Sequence, residues 1–337
     1  MTARDISFII PIYNRPVEAK ELLDSFKALT GNHDFEIVIV EDGSTVTSEV
    51  VVDNFSNQLN ISYFIKENTG PGDSRNYGMR RAKGNYFIIL DSDCILPQLY
   101  LTSILEHLNN DYVDCFGGPD AAHKSFSNIQ KAINFTMTSF ITTGGIRGKK
   151  NSVNKFQPRS FNMGISKTAF NATGGFGRIH PGEDPDLSIR LSKLDFSTKL
   201  IPEVYVYHKR RVSWSKFYNQ VHKFGLVRPI LSKWHPGSKK ITYWFPTLFS
   251  LGLIAAISLV FFNVELPLKL YGVYFITSFL LALISTKNGI AALFSILAIM
   301  IQFFGYGYGF LKSTVKLIFS NKDVEEQFPN LFFKIKR

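Results

Sequence analysis

The residues with the most chemical potential in this chain lie in short polar clusters. Asp91-Ser92-Asp93 sets two carboxylates two positions apart, directly after the apolar run Tyr86–Leu90. If the chain bends there, both can converge on one ion, and hard oxygen ligands suit Mg2+ or Mn2+, which can bridge a diphosphate. The same triplet also reads as a polar turn closing a strand. Asp42, in Glu41-Asp42-Gly43-Ser44, can accept hydrogen bonds from a base or ribose while Gly43 permits close approach; alternatively it sits in a turn before a Ser44 or Thr45 helix cap. In Gly70–Gly78, Pro71 suits a helix start, and Arg75 one turn on faces either a crevice or solvent. Asp184, in Gly182-Glu183-Asp184-Pro185-Asp186, fits a helix N-cap with Pro185 at the first helical position, and also a general base within about 3 Å of an acceptor hydroxyl. His208 closes the alternating run Val204–His208, where it is a third metal ligand beside two carboxylates or an ordinary packed histidine. In Gln220–Arg228, Lys223 and Arg228 can neutralise a leaving diphosphate or touch lipid phosphates.

Clusters of this kind need strand ends to hold them, and the first hundred residues supply them. Apolar runs at 6–11, 35–40, 61–65 and 86–90 read as strands, alternating with helical patterns at 17–29, 46–55 and about 71–82. Such βαβ alternation predicts an α/β domain with a Rossmann-like, mostly parallel sheet covered on both faces, whose ligands sit beyond the carboxyl ends of the strands. Tyr13-Asn14-Arg15, Asp42 and Asp91-Ser92-Asp93 all fall there. From about 116 to 160 the pattern weakens, and Gly144, Gly145, Gly148, Lys149 and Lys150 suggest loops on a mobile, acceptor-side region.

The chain has 337 residues, enough for a domain of about 200 to 240 plus an appendage. Beyond Tyr243 the composition changes. Stretches 243–262, 266–284 and 289–311 are long and apolar enough to give two or three transmembrane helices, with Lys269 their only charge, followed by a basic tail over 312–337. With the N-terminal part cytoplasmic and three spans, the tail lies outside, against the positive-inside bias; a re-entrant or interfacial segment is the alternative, and the last one, ending in Gly305-Tyr306-Gly307-Tyr308-Gly309, is the candidate. The net charge is +11, and Lys199 to Lys240 holds ten basic residues against one acid, Glu203. Preceding apolar runs and lacking any nucleic-acid-binding motif, this segment predicts a membrane-proximal surface facing anionic lipid, not nucleic acid. Cys94 and Cys115 form no disulfide framework or zinc cluster, which fits a reducing compartment, and the run after Asp5 is too short for a signal-peptide core, so no export of the N-terminal part is expected.

In their order and spacing, Ile10–Arg15, Glu41–Ser44, Gly70–Gly78, Asp91-x-Asp93 and Gly182–Asp184 resemble family 2 glycosyltransferases of the GT-A fold, of the membrane-bound bacterial polysaccharide and glycolipid type. The resemblance covers about residues 5 to 230 and implies a catalytic domain over 1–235. It implies that Pro11, Tyr13 and Arg15 line a nucleotide pocket, that Asp42 binds the base, and that Arg75 contacts the nucleotide. Asp91 would hold ribose or metal-bound water, Asp93 the Mg2+ or Mn2+, with His208 completing the metal site, and Asp184 would be the base. Gln220, Lys223 and Arg228 resemble an interfacial motif that touches diphosphate, although Lys223 stands where arginine is common. The implied activity is a metal-dependent inverting transfer from a nucleotide-sugar, UDP favoured, to a saccharide or lipid-linked acceptor at the inner membrane. A polyprenyl-phosphate sugar synthase and an inactive, membrane-tethered nucleotide-sugar binder are the alternatives.

Overall fold

The computed structural model describes residues 1–31, 34–121, 126–144, 156–207 and 213–333, with the backbone of His208. It divides into two compact units. The first holds a seven-stranded sheet in the order β3 (Ile61–Lys66), β2 (Glu36–Asp42), β1 (Ile6–Ile12), β4 (Tyr86–Leu90), β8 (Asn162–Ser166), β6 (Cys115–Gly117), β9 (Thr198–Leu200). Strands β3, β2, β1 and β4 pair in parallel, and β8 runs antiparallel between β4 and β6. A small sheet joins β5 (Cys94–Ile95), β10 (Val206–His208) and β7 (Asp120–Ala121). The mostly parallel sheet is thus as expected.

The central strands are apolar without interruption because both faces are covered. Phe8, Ile10, Ile37, Ile39, Ile88 and Leu90 enter one core cluster, and the intervening Ile9, Val38, Val40, Phe87 and Ile89 enter the other. Helix α1 (Pro16–Lys27) closes the first cluster with Ala19, Leu22, Leu23 and Phe26 at helical spacing, and α4 (Tyr100–Asn110) adds Leu101, Ile104 and Leu108. A short α2 (Glu49–Asp53) follows β2. Helix α3 (Pro71–Arg81) covers the second face, where an added Cβ on Gly78 would come within 2.8 Å of Ile9 Cγ2. Helices α7 (Lys167–Thr173) and α8 (Glu183–Lys193) complete it, with Ala169, Phe170, Leu187 and Leu191. From β1 the chain proceeds outward through β2 to β3 and then returns to β4 on the other side of β1. This reversal opens a crevice beyond the carboxyl ends of β1 and β4.

Two expectations change. Asp184 is not the N-cap of its helix: Gly182, at φ 125°, takes that position, so Glu183 is the first helical residue and Asp184 the second. Within 116–160, the described residues 126–144 are more regular than their weak pattern suggested. A capping box of Ser127 and Gln130 starts α5 (Asn128–Thr138), whose Ile133 and Met137 bury against Phe217 and Val221, and α6 (Phe140–Thr143) follows. Of the glycines and lysines read as loop there, Gly145, Gly148, Lys149 and Lys150 lie outside the described residues.

The second unit contains α5, α6, α9 (Trp214–Trp234), α10 (Phe245–Val260), α11 (Leu266–Thr286), α12 (Gly289–Phe319) and α13 (Val324–Gln327). Among the described residues three helical segments, Ile241–Val260, Leu266–Thr286 and Gly289–Phe319, are long and apolar enough to cross a membrane. The last of them carries the Gly305–Gly309 run. Its glycine-rich end does not interrupt the helix; α12 runs on through Gly305–Gly309, and the glycines admit neighbouring backbone. A Cβ on Gly309 would fall 2.3 Å from His222 O, one on Gly307 2.8 Å from Pro246 O, and one on Gly225 of α9 2.2 Å from Tyr306 O. His222 Nδ1 lies 3.2 Å from Gly305 O, sealing the contact. Gly225→Ala therefore forces α9 from α12 and is expected to cost about 1–3 kcal/mol, read as a lower thermal unfolding midpoint of the detergent-solubilised protein.

Candidate active site

The loops leaving β1 and β2 are tied to each other before any functional side chain is placed. Asn14 takes a left-handed φ of 53°; its amide donates to Ser44 Oγ at 2.8 Å, and its Oδ1 accepts from the amides of Thr45 at 2.8 Å and Val46 at 3.0 Å. Beneath them the fully buried Glu41 accepts from Ser48 N and Tyr63 Oη, each at 2.9 Å. Pro11 is half-buried in β1 opposite Val40, and the Tyr13 ring is 52% exposed at the mouth of the crevice.

Asp42 ends β2 and is buried. Its carboxylate accepts from Lys66 Nζ at 2.6 Å and from the amides of Thr69 and Gly70, both at 3.0 Å. Lys66 also reaches Asp73 at 3.3 Å. The carboxylate therefore holds the 67–70 loop against the strand end. Gly43 makes this closeness possible: at φ 69°, an added Cβ would lie 2.5 Å from Asn68 N.

Arg75 is the hub. It is 3% exposed, projects from α3, and binds Asp91 Oδ1 through Nη2 at 2.7 Å and Glu183 Oε1 through Nη1 at 3.3 Å, with its guanidinium 5.4 Å from the Phe176 ring centroid. Burial opposes its charge, but Asp91 and then Glu183 more than offset that and raise its pKa. Glu183 also lies 2.9 Å from His180 Nδ1. Burial alone would favour its neutral form, yet His180 and Arg75 hold it down to about 2. Its neighbour Asp184 behaves oppositely. Burial first, then the adjacent Glu183 charge, push it up to about 6, against the pull of Arg75, Arg159 and a Ser160 hydrogen bond; among the described residues its Oδ1 is buried and accepts no hydrogen bond. The two adjacent carboxyls are thus driven in opposite directions, Glu183 toward a lasting negative charge and Asp184 toward holding its proton more tightly.

The second arm of the crevice is the pair of Arg15 Nη1 and Asp93 Oδ2 at 2.5 Å. Burial works against the Arg15 charge, but Asp93 raises its pKa overall. Both carboxylates of the 91–93 turn are thus arginine-bound. Among the described residues no group of three His, Cys, Asp or Glu gathers around a common point. Two hard carboxylates nevertheless suit Mg2+ or Mn2+, ions that prefer oxygen ligands and complete their shells with water or other oxygens. His208 pairs with Cys94 in register, so its backbone lies beside the turn, while its side chain falls outside the described residues. Gln220, Lys223 and Arg228 belong to α9 of the second unit, where the Arg228 guanidinium lies 4.8 Å from the Tyr243 ring centroid.

Sequence reasoning missed Lys66, Asn14, His180 and the separate part of Glu183. Lys66 ends β3 in register with Asp42 at the end of β2, a pairing that only strand order and register reveal. Replacing Arg75 by Met would leave Asp91 and Glu183 without their shared cation and is expected to destabilise the fold by about 3–5 kcal/mol, measurable as a lower denaturation midpoint.

The sheet order and the crevice define a GT-A nucleotide-diphospho-sugar transferase fold. Solved structures agree: a mannosyltransferase from Pyrobaculum calidifontis in complex with GDP-Man and Mn2+ matches with TM-score 0.56 at 13% identity, covering 94% of this chain and 88% of that one. Residues 1–349 of Staphylococcus aureus TarS in complex with UDP-GlcNAc match with TM-score 0.51 at 17% identity, covering 91% of each chain. Residues 7–172 fit the model of Glycosyl transferase family 2, which makes this part of the chain a family 2 glycosyltransferase domain. An uncharacterized glycosyltransferase of Rickettsia typhi is 38% identical over 105 residues, 31% of this chain and 31% of that protein. Chondroitin synthase of Escherichia coli is 32% identical over 155 residues, 43% of this chain and 22% of that protein. The chain spans less than a third of the length of either relative.

Proposed function

We propose that this protein is a membrane-anchored, inverting glycosyltransferase that moves a sugar from a nucleotide-diphosphate donor to a hydroxyl of a saccharide or lipid-linked acceptor in surface polysaccharide or glycolipid synthesis. The observation that carries this reading is Arg75, one guanidinium bonded to Asp91 on the donor side and to Glu183 beside Asp184. It holds a donor carboxylate and a proton-accepting carboxyl on one rigid bridge, as a single displacement requires.

In this reading residues 1–235 form the catalytic part, with its basic 199–240 segment near the membrane. Pro11, Tyr13 and Arg15 line the nucleotide pocket, Asp42 reads the base and Arg75 faces the nucleotide. Asp91 and Asp93 would hold Mg2+ or Mn2+, with His208 as a further ligand; when bound, the ion stabilises charge on the departing nucleoside diphosphate. Asp184 accepts the acceptor's hydroxyl proton while that oxygen bonds to the anomeric carbon. The bond from that carbon to the diphosphate breaks, its electron pair leaves with the diphosphate, and a single displacement inverts the configuration. Glu183 stays ionised throughout and keeps Arg75 in place. Gln220, Lys223 and Arg228 are diphosphate contacts. A UDP-sugar is the favoured donor, in keeping with the UDP-GlcNAc held by TarS, while the mannosyltransferase neighbour holds GDP-Man. The three apolar helices support membrane attachment, and nucleotide-sugar supply favours a catalytic unit on the cytoplasmic face of a bacterial inner membrane.

Asp184→Asn is expected to lower the transfer rate by about 10²- to 10⁴-fold while donor binding, followed by calorimetry, stays within about twofold of the parent. Because Asp184 must be ionised to accept the proton, the parent's turnover should fall as pH drops through about 6, and a steady-state pH profile with a chosen donor and acceptor would reveal that limb. An unchanged rate in the Asn variant would remove Asp184 from the base role.

A further inference from the structure

Phe332 and Phe333 follow the last helices in sequence but belong to the first unit. Phe332 forms an isolated antiparallel bridge with Ile179. The Phe333 ring then lies against two parts of the site. It packs on Gly70 so closely that an added Cβ there would meet its Cδ2 at 2.2 Å, and its centroid is 5.8 Å from that of the His180 ring. A cavity beside it is lined by Thr69, Gly72, Asp73 and Asn76 from α3 and its approach, and by residues 176–180 from the approach to α8.

We propose that Phe333 is a positioning residue for the donor site, a wedge whose ring sets the Gly70 loop and His180 at their correct separation. The proposal rests on the glycosyltransferase reading above. Two chains of contact run inward from the ring. Through Gly70, whose amide donates to Asp42 Oδ2 at 3.0 Å, it reaches the carboxylate at the end of β2. Through His180 it reaches Glu183 at 2.9 Å, then Arg75 at 3.3 Å and Asp91 at 2.7 Å. Both carboxylates assigned to the donor are thereby indexed to one aromatic ring. Gly72, Asp73 and Asn76 share the face of α3 that lines the cavity, whereas Arg75 leaves the helix toward Asp91. Phe333 therefore backs the site from behind and does not fill the crevice. Gly70 fits this role, since at φ 95° and with no side chain it admits the ring against its backbone.

The test uses the full chain in detergent, comparing Phe333→Ala and Phe333→Tyr with the parent. Amide hydrogen exchange at Thr69 and Gly70 is followed alongside binding of UDP and GDP with Mn2+, and alongside transfer kinetics. The wedge predicts faster exchange at both amides in the Ala variant. It predicts nucleotide binding weakened by about tenfold, a matching rise in donor KM with a smaller change in kcat, and recovery in the Tyr variant. Exchange identical to the parent overturns the wedge; so does faster exchange with unchanged nucleotide binding, which is local packing alone. Tighter binding in the Ala variant would make the ring an obstruction and also overturns it. If the parent binds neither nucleotide, the glycosyltransferase reading fails, and the exchange comparison still decides whether the ring holds the loop.

Discussion

A guanidinium buried to 3% exposure between two carboxylates is the interaction on which the rest of this site depends. Arg75 cannot lose its proton, so its cavity must supply negative charge, and Asp91 and Glu183 do so from the turn after β4 and from α8, far apart in sequence. Once Glu183 is committed to the cation, the adjacent Asp184 meets both a dry surrounding and a fixed negative neighbour. Its raised proton affinity follows from those two facts. The contrast between the two carboxyls of α8 comes from their surroundings, His180 and Arg75 at Glu183 and burial beside a charge at Asp184, not from any difference between glutamate and aspartate.

The fold was largely legible because its causes are local. Strands buried on two faces write continuous apolar runs, Pro71 marks the start of α3, and the second and third apolar helices begin where their sequence patterns do, at Leu266 and Gly289. Candidate site residues were legible one at a time and hidden as partners. Nothing in the string assigns Arg15 to Asp93 or Lys66 to Asp42, since both pairings depend on strand order and register. Asp184 was taken for a cap because Pro185 suits a first helical position; tertiary packing moved the helix start back to Gly182, whose φ of 125° only glycine tolerates well. The glycines that end the last apolar stretch also find their reason only in packing. Glycines that look like helix breakers in isolation are what close helix packing requires when another backbone lies against them.

The two units solve different problems with the same residue type. In the first, Gly43 and Gly70 let a loop approach a strand end or a ring, where a side chain would push a carboxylate off its partners. In the second, Gly225, Gly307 and Gly309 replace side-chain interdigitation by backbone contact, the preferred device where the surrounding medium is as apolar as the helices themselves.

The unbroken course of α12 has a further consequence in a bilayer. Its 31 residues give about 46 Å of helix, against a hydrocarbon core of about 30 Å. Tilt alone absorbs only part of that difference, because tilts average about 20° and rarely pass 40°. With Gly289 at one boundary, about one membrane thickness of helix ends near Tyr308, and the remaining turns to Phe319 carry Lys312 and Lys316 into the headgroup layer and beyond. Crossing a bilayer, such a helix would be matched to it at one end and would extend past it at the other. Its depth is then set by lysines and interfacial tyrosine, and a change in bilayer thickness would be taken up as sliding at that end.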